Sequence, residues 1–138
     1  MQFTDQRITE LNENPFYRAV GIRLERVADG SAHSVLKPRL EMCWPAEGRP
    51  HGGVLFTVLD TTMAFAAISN GAPGAGCATV DCNIQYTAPA DHGPFTCTVA
   101  TTSKTSRTVF IRGEVTDAKS TIVALAQATF RLFGPPGS

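Results

Sequence analysis

Several features that would assign this chain to a simple class are missing from its sequence. Its 138 residues carry 12 Lys plus Arg against 12 Asp plus Glu, so the formal net charge is zero. No global field therefore attracts nucleic acid or an anionic membrane, and neither is predicted as a partner. The N-terminal stretch MQFTDQRITE is charged where a secretory signal needs an apolar run, and we expect a cytoplasmic protein.

The sequence also lacks the cysteine and histidine spacings of a metal site. Its four cysteines form no C-x-x-C pair and have no histidine at ligand spacing; they are Cys43, Cys77, Cys82 and Cys97. We interpret them as core or loop thiols, since free cysteine packs as a small hydrophobe. No metal and no redox cofactor is predicted.

One long apolar run is present, and it contains a carboxylate. It reads HGGVLFTVLDTTMAFAAIS from His51. Its most apolar part, residues 54–68, falls short of the roughly 18 to 20 residues that span a membrane and includes Asp60. We predict a helix that begins at the glycine pair, ends at Asn70-Gly71 and is covered on nearly every side.

The rest of the chain supplies strands to cover that helix. Alternation of apolar and polar residues, with turn residues between, predicts strands over 22–28, 31–37, 77–87, 95–103, 107–116 and 121–133. Short connections between the later strands indicate antiparallel pairing. The fold class is therefore α+β, with an antiparallel sheet of about six strands wrapped around one long central helix.

The chain is predicted to form one domain over residues 1–138, since this length suits a single core. Residues 1–20 are interpreted as an N-terminal helical arm, and residues 134–138 as a disordered tail. In the strand over 77–87, strict alternation places Thr79 on the face opposite Val80 and Cys82.

Asp60 needs a physical reason for its place in the apolar run. A carboxylate in an apolar environment is costly unless it is paired or hydrogen-bonded. One interpretation is local pairing with Thr57, Thr61 or Thr62, or exposure to a wet groove. The other is a general base or nucleophile, because such carboxylates cluster at functional sites. The residues alone leave both open.

The His51-Gly52-Gly53 turn offers a second half of a possible site. The first amides of a helix lack intrahelical partners, and the helix dipole favours negative charge there. Glycine lets a substrate approach this backbone closely, so the turn could act as an oxyanion hole. A plain glycine-assisted turn after Pro50 remains the alternative. His51 is expected to orient the turn, since a helix N-terminus disfavours its cation.

The spacing of the two halves decides how they could cooperate. Gly52 and Asp60 are eight residues apart, or about 12 Å along a helix that rises ~1.5 Å per residue. Both groups would have to lie within about 3 Å of one reacting carbonyl. If both are used, a second chain supplies one of them, and a two-fold homodimer would form two equivalent sites.

These residues form a pattern that resembles a known family. The pattern PxxGxxHGGxxxxxxDxxxAxA is matched by Pro45, Gly48, His51, Gly52, Gly53, Asp60, Ala64 and Ala66. It is similar to that of the hotdog-fold acyl-CoA thioesterases of the phenylacetate-pathway (PaaI-like) type. The similarity continues through TVDCNIQYTAPA at 79–90 and to about residue 132.

The resemblance implies roles for particular residues. Asp60 would be the catalytic carboxylate and Gly52 the carbonyl-polarising amide, contributed across a homodimer. His51 would complete the catalytic turn, and Gly53 would contact the substrate. Thr79 matches a residue that helps to place the attacking water, although it could equally be a surface threonine of the strand. Lys104 and Arg107 would meet phosphates of coenzyme A, which enters as part of the substrate; the other interpretation of these two is a solvated loop. Dimers that join into tetramers are common in the family.

Two departures and two rival functions accompany the resemblance. Trp44 stands where the family often has an asparagine, and Ser106 where it has a glycine. A dehydratase or hydratase would need His33 or His92 beside Asp60. A non-catalytic acyl-CoA-binding protein would keep the groove without turnover.

Overall fold

The computed structural model describes residues 1–135, which form one antiparallel sheet curled around one long helix. In chain order the elements are α1 (Asp5–Asn12), α2 (Pro15–Val20), β1 (Ile22–Ala28), β2 (Ser31–Leu36), a 3-10 turn (Leu40–Met42), α3 (Gly52–Ser69), β3 (Gly76–Tyr86), β4 (Phe95–Lys104), β5 (Thr108–Thr116) and β6 (Ile122–Phe133). The six strands lie in the order β1-β2-β4-β5-β6-β3. The predicted α+β fold is confirmed. Residues 136–138 of the predicted tail lie outside the described residues.

Helix α3 lies at the centre of the core, as its apolar sequence predicts. Its residues Leu59 and Met63 are fully buried and belong to one cluster with Phe95 and Phe130 of the surrounding sheet. By length and composition this helix could also cross a membrane, a test that the core helix of a folded protein passes equally, and more than half of it is buried. Its packing inside the sheet accounts for its apolar character.

One stripe of α3 stays half exposed in the single chain, so the helix is less completely covered than its sequence predicts. The stripe recurs at helical spacing and consists of Phe56, Thr57, Asp60, Thr61, Ala64 and Ile68. It runs along one side of the helix. Asp60 therefore lies on the only face of α3 that water or a second protein chain can reach within the described residues.

Strand β3 contains a bulge, which changes the side of the sheet that its first residues face from the side predicted. Its register with β6 shifts between Thr79 and Asp81, so that Val80 is the extra residue and is 66% exposed. A bulge inserts one residue and reverses the alternation beyond it. Thr79 therefore faces the helix on the same side as Cys82, and the prediction that they face opposite sides is wrong.

The two edge strands of the sheet differ in how far other parts of the chain cover them. The β1 edge is partly covered by the N-terminal arm, where Phe3 N donates to Val27 O at 3.0 Å and Gln2 bridges to Ala28. Strand β3, at the other edge, pairs only with β6 among the described residues. A long strand with one unpaired edge is a template for pairing with another chain.

Candidate active site

The turn at the start of α3 leaves one backbone amide free. His51 is the N-cap residue, and its Nδ1 accepts from the Gly53 amide at 2.9 Å. The Val54 amide donates to the His51 carbonyl at 2.8 Å. The Gly52 amide has no hydrogen-bond acceptor among residues 1–135. It is therefore the N–H that this turn can offer to a substrate carbonyl.

His51 is held in its capping position by its surroundings. Its ring lies 5.1 Å from the Trp44 ring, centroid to centroid, and its backbone amide donates to Met42 O at 2.9 Å. The loop that leads into the turn is tied to the loop after β3 by an ion pair between Arg49 and Asp91. An Nδ1 atom that accepts a hydrogen bond is unprotonated, so the capping geometry uses the neutral imidazole.

Tyr86, the last residue of β3, contacts the same turn. Its hydroxyl donates to the Gly52 carbonyl at 2.8 Å. A Cβ added at Gly52 would lie 3.2 Å from the Tyr86 ring carbon Cζ, so the ring lies directly against this glycine. No role was predicted for Tyr86, because this contact joins residues 34 positions apart in the chain.

Asp60 is hydrogen-bonded to strand β3 and not to its helical neighbours. The Thr79 hydroxyl donates to Asp60 Oδ1 at 2.8 Å. Thr57 and Thr62 instead donate to helix carbonyls one turn back, at 2.7 and 2.6 Å. Local pairing with these two residues is therefore not what accommodates the carboxylate. Its partner is Thr79, which the bulge at Val80 turns toward α3.

Two thiols flank the carboxylate and are unsuited to act as nucleophiles. Burial and then the negative charge of Asp60 raise the pKa of Cys77 to about 11, and the same two causes, with Asp81 third, raise the pKa of Cys82 to about 11. Thiols with such pKa values stay protonated near neutral pH, and the thiolate is the nucleophilic form.

The two halves of the candidate site belong to one continuous helix, as the spacing requires. Gly52 is the first residue of α3, and Asp60 lies in its middle. At ~1.5 Å per residue they are about 12 Å apart. Within one chain, Gly52 contacts the end of β3 at Tyr86, whereas Asp60 contacts its first half at Thr79.

A basic cavity lies near the first residues of β5. Arg107 and Arg131 line a cavity of about 690 Å³ together with Ser106. Neither guanidinium has a carboxylate partner within residues 1–135. Arg131 is a residue that the sequence analysis missed, since it joins Arg107 only through the pairing of β5 with β6. Lys104 does not line this cavity.

Three further residues named from the sequence are His33, His92 and Gly53. His33 interacts with Glu25 at 3.2 Å on the β1–β2 hairpin, and the backbone carbonyl of His92 accepts from Ala118 N at 2.8 Å. Neither histidine is hydrogen-bonded to Asp60 among the described residues. Because His51 engages the Gly53 amide, the substrate contact predicted for Gly53 stays a prediction.

Comparison with known proteins identifies the family of this chain. The model of the thioesterase superfamily matches residues 47–124, which include the HGG turn, Asp60 and Thr79. A protein of Halobacterium salinarum named as an esterase is 28% identical over 125 residues, covering 83% of this chain and 82% of that protein.

Solved structures with the same fold include named thioesterases. Thioesterase HI1161 of Haemophilus influenzae superposes with a TM-score of 0.87 at 15% identity, covering 97% of this chain and 93% of that one. PaaI from the phenylacetic acid degradation operon of E. coli gives a TM-score of 0.82 at 24% identity, with coverages of 94% and 93%. A conserved protein of Pseudomonas aeruginosa gives 0.79 at 25% identity, with coverages of 87% and 94%.

Proposed function

Because the chain belongs to the thioesterase superfamily and has the hotdog fold of its PaaI-like members, we propose that it hydrolyses an acyl- or aryl-acyl-CoA thioester. The products are the free acid and coenzyme A. The observation that supports this most directly is the Gly52 amide, which has no acceptor among residues 1–135, in a chain that also presents a half-exposed, hydrogen-bonded carboxylate at Asp60.

The chemistry follows from these two groups. The Gly52 N–H donates to the thioester oxygen and stabilises the negative charge that develops on it as the carbonyl carbon becomes tetrahedral. Asp60 either attacks that carbon, giving an anhydride that water then cleaves, or removes a proton from the attacking water. In both routes the C–S bond breaks, the sulfur takes a proton, and the acyl group gains an oxygen from water. The Thr79 hydroxyl orients the carboxylate by its hydrogen bond.

The shared site needs a homodimer, and the open edge of β3 supports one. Within one chain the two groups are about 12 Å apart, too far to serve one carbonyl. An unpaired edge strand and the half-exposed stripe of α3 lie on the same side of the molecule, since Asp60 of the stripe contacts Thr79 of that strand. A second copy of the chain would cover both through one two-fold interface.

One register of that interface would bring the two groups together. If β3 pairs antiparallel with its copy about Asn83, and Val80 is skipped as it is against β6, then Thr79 lies opposite the partner subunit's Tyr86. Thr79 contacts Asp60 and Tyr86 contacts Gly52 within each chain. This register would therefore bring each Asp60 toward the Gly52 of the partner subunit.

The basic cavity supports coenzyme A as the carrier of the acyl group. Two arginines without carboxylate partners among residues 1–135 suit phosphate oxygens, which guanidinium groups bind with two parallel hydrogen bonds. Arg107 would hold the phosphates as the resemblance implies, with Arg131 added by the structure. Lys104 stays a weaker prediction.

A thiol-release assay across short-chain, long-chain and aryl acyl-CoAs tests the proposal, with wild type, Asp60→Asn and the control Asp5→Asn. Asp5 is an exposed aspartate of α1, remote from the site. We expect turnover in wild type and in the control, and a loss of about 10² to 10⁴-fold in Asp60→Asn, the usual contribution of a catalytic acid or base. Unchanged turnover in Asp60→Asn would refute the role of the carboxylate. Binding of acyl-CoA without any turnover by wild type would indicate a non-catalytic binder instead.

A further inference from the structure

Tyr86 makes two separate contacts with the residue that carries the free amide. Its hydroxyl donates to the Gly52 carbonyl at 2.8 Å, and its ring carbon Cζ and hydroxyl oxygen Oη both lie 3.2 Å from the position where a Cβ of Gly52 would be. The first contact fixes the peptide after Gly52. The second restricts how far Gly52 can move toward β3.

The turn needs such a restraint because of its composition. Gly52 and Gly53 are adjacent, and glycine has more backbone freedom than any other residue. His51 Nδ1 accepts from the Gly53 amide at 2.9 Å, and the Tyr86 hydroxyl donates to the Gly52 carbonyl at 2.8 Å. Both contacts hold the one peptide that joins Gly52 to Gly53. The Gly52 N–H belongs to the preceding peptide, so its direction is restrained through the Gly52 backbone next to this fixed unit.

Tyr86 also belongs to the strand that contacts the other half of the candidate site. It ends strand β3, whose residue Thr79 binds Asp60. The strand therefore contacts the carboxylate at one place and the amide-bearing turn at another. In a dimer that pairs β3 with its copy in the register described above, Tyr86 would place the amide and Thr79 would place the carboxylate of the partner subunit.

We propose that Tyr86 is a positioning residue that aims the Gly52 amide at the thioester carbonyl, a proposal that rests on the function proposed above. Tyr86 does not need to touch the substrate in this role. Oxyanion donors act only when they point at the place where charge develops, and a misplacement on the order of 1 Å lowers the rate strongly. Loss of the hydroxyl should therefore lower kcat and leave KM nearly unchanged.

The first arm of the test is Tyr86→Phe, which keeps the ring and removes the hydrogen bond. The matched control is Tyr17→Phe, since the chain has two tyrosines and the Tyr17 hydroxyl makes no hydrogen bond within residues 1–135. We expect kcat of Tyr86→Phe to fall about three- to tenfold, as one net hydrogen bond allows, with KM within about twofold of wild type and the control unchanged. A kcat equal to that of wild type would overturn the proposal.

The second arm asks whether Tyr86 acts through the amide. Gly52→Pro removes the amide hydrogen at a helix position that tolerates proline. In that background Tyr86→Phe should cause no further loss of kcat, because the group that it positions is gone. A purely structural role would give losses that multiply, as independent sites do, and that result would refute the positioning role.

The third arm does not depend on activity, so it separates this proposal from the proposed function. Amide hydrogen exchange of the first turn of α3 should be faster in Tyr86→Phe than in wild type or Tyr17→Phe, with Phe56 as the main reporter because helical pairing joins its N–H to the Gly52 carbonyl. Unchanged exchange would overturn the proposal for Tyr86 even in an active enzyme. Faster exchange in a chain that hydrolyses no acyl-CoA would instead leave Tyr86 as the anchor of the turn and reject the thioesterase assignment.

Discussion

Thr79 donates its hydroxyl hydrogen to Asp60 Oδ1 at 2.8 Å, and it reaches that oxygen because Val80 bulges out of β3. Without the extra residue, strand alternation would point Thr79 away from the helix. The hydrogen bond satisfies one lone-pair direction of the carboxylate and fixes its orientation. The second oxygen, Oδ2, has no hydrogen-bond donor among residues 1–135.

The first prediction concerns this hydroxyl. Thr79→Val keeps the shape of the side chain and removes the hydrogen bond, so we expect kcat to fall about tenfold, the effect of roughly 1.4 kcal/mol. Thr79→Ser keeps a hydroxyl at the same position and should retain most of the activity. Steady-state kinetics of the two variants decides; equal kcat in Thr79→Val and wild type would show that Asp60 needs no partner.

The second prediction concerns the free amide. Gly52 is the first residue of α3, and His51 before it has φ −57° and ψ 142°, a conformation that is allowed before proline. Gly52→Pro should therefore fold, while kcat falls about 10² to 10³-fold for loss of one oxyanion donor.

Gly52→Ala is the matched control, because it adds a Cβ against Tyr86 but keeps the N–H. It should lose distinctly less activity than the proline variant. Circular dichroism confirms that both have folded. If alanine and proline were equally harmful, crowding against Tyr86 and not the missing amide would be the cause.

The third prediction tests the sharing of the site between chains. Asp60→Asn and Gly52→Pro homodimers should both be inactive, but a refolded equal mixture should regain about a quarter of wild-type activity. Half of the random dimers are mixed, and one of the two sites in each mixed dimer has both groups intact. A mixture that stays inactive would show that Asp60 and Gly52 of one site come from the same chain.

The fourth prediction concerns the basic cavity. Arg107→Ala and Arg131→Ala should each raise KM for acyl-CoA several-fold while kcat changes little, because phosphate contacts far from the carbonyl contribute to binding. The rise should be smaller at high salt, which screens the charges. Acyl-pantetheine, which lacks the nucleotide phosphates, provides the control substrate. A KM that is unchanged in both variants would show that the phosphates of CoA do not bind in this cavity.

The fifth prediction uses the thiols as reporters of the Asp60 charge. Burial and then that charge raise the pKa of Cys82 to about 11, so alkylation should be slow at pH 8 and accelerate as the pH rises toward 11. A negative charge disfavours the thiolate, so Asp60→Asn should lower this pKa and speed alkylation at pH 9. Cys97 is buried, its pKa is raised to about 12 mainly by desolvation, and Asp60 is not among the causes, so it serves as the internal control. Equal alkylation rates of Cys82 in both proteins would mean that the carboxylate is not charged beside it.

The central helix was predictable because every determinant of its bounds is local. The glycine pair after His51 opens α3 and Asn70 follows its last residue, as the sequence indicates. Asp29-Gly30, a dipeptide typical of tight turns, likewise lies between β1 and β2, which pair as a hairpin. The bulge at Val80 was not predictable, since β3 alternates regularly in sequence and only its pairing with β6 makes one residue surplus.

By itself the sequence determined that a helix too apolar for the surface carries an aspartate eight residues after a glycine, and that this distance separates the two groups within one chain. Helical rise and the cost of burying a carboxylate are local properties of the chain, so both can be inferred from the sequence without the tertiary structure. Only the tertiary structure decided that Thr79 turns inward to hold Asp60, and that His51 occupies the Gly53 amide and leaves that of Gly52 without an acceptor among residues 1–135. It also decided that Tyr86 contacts Gly52 and that Arg131 lines one cavity with Arg107. Each of these depends on strand register or on contacts between distant residues, which are fixed when the sheet closes around the helix.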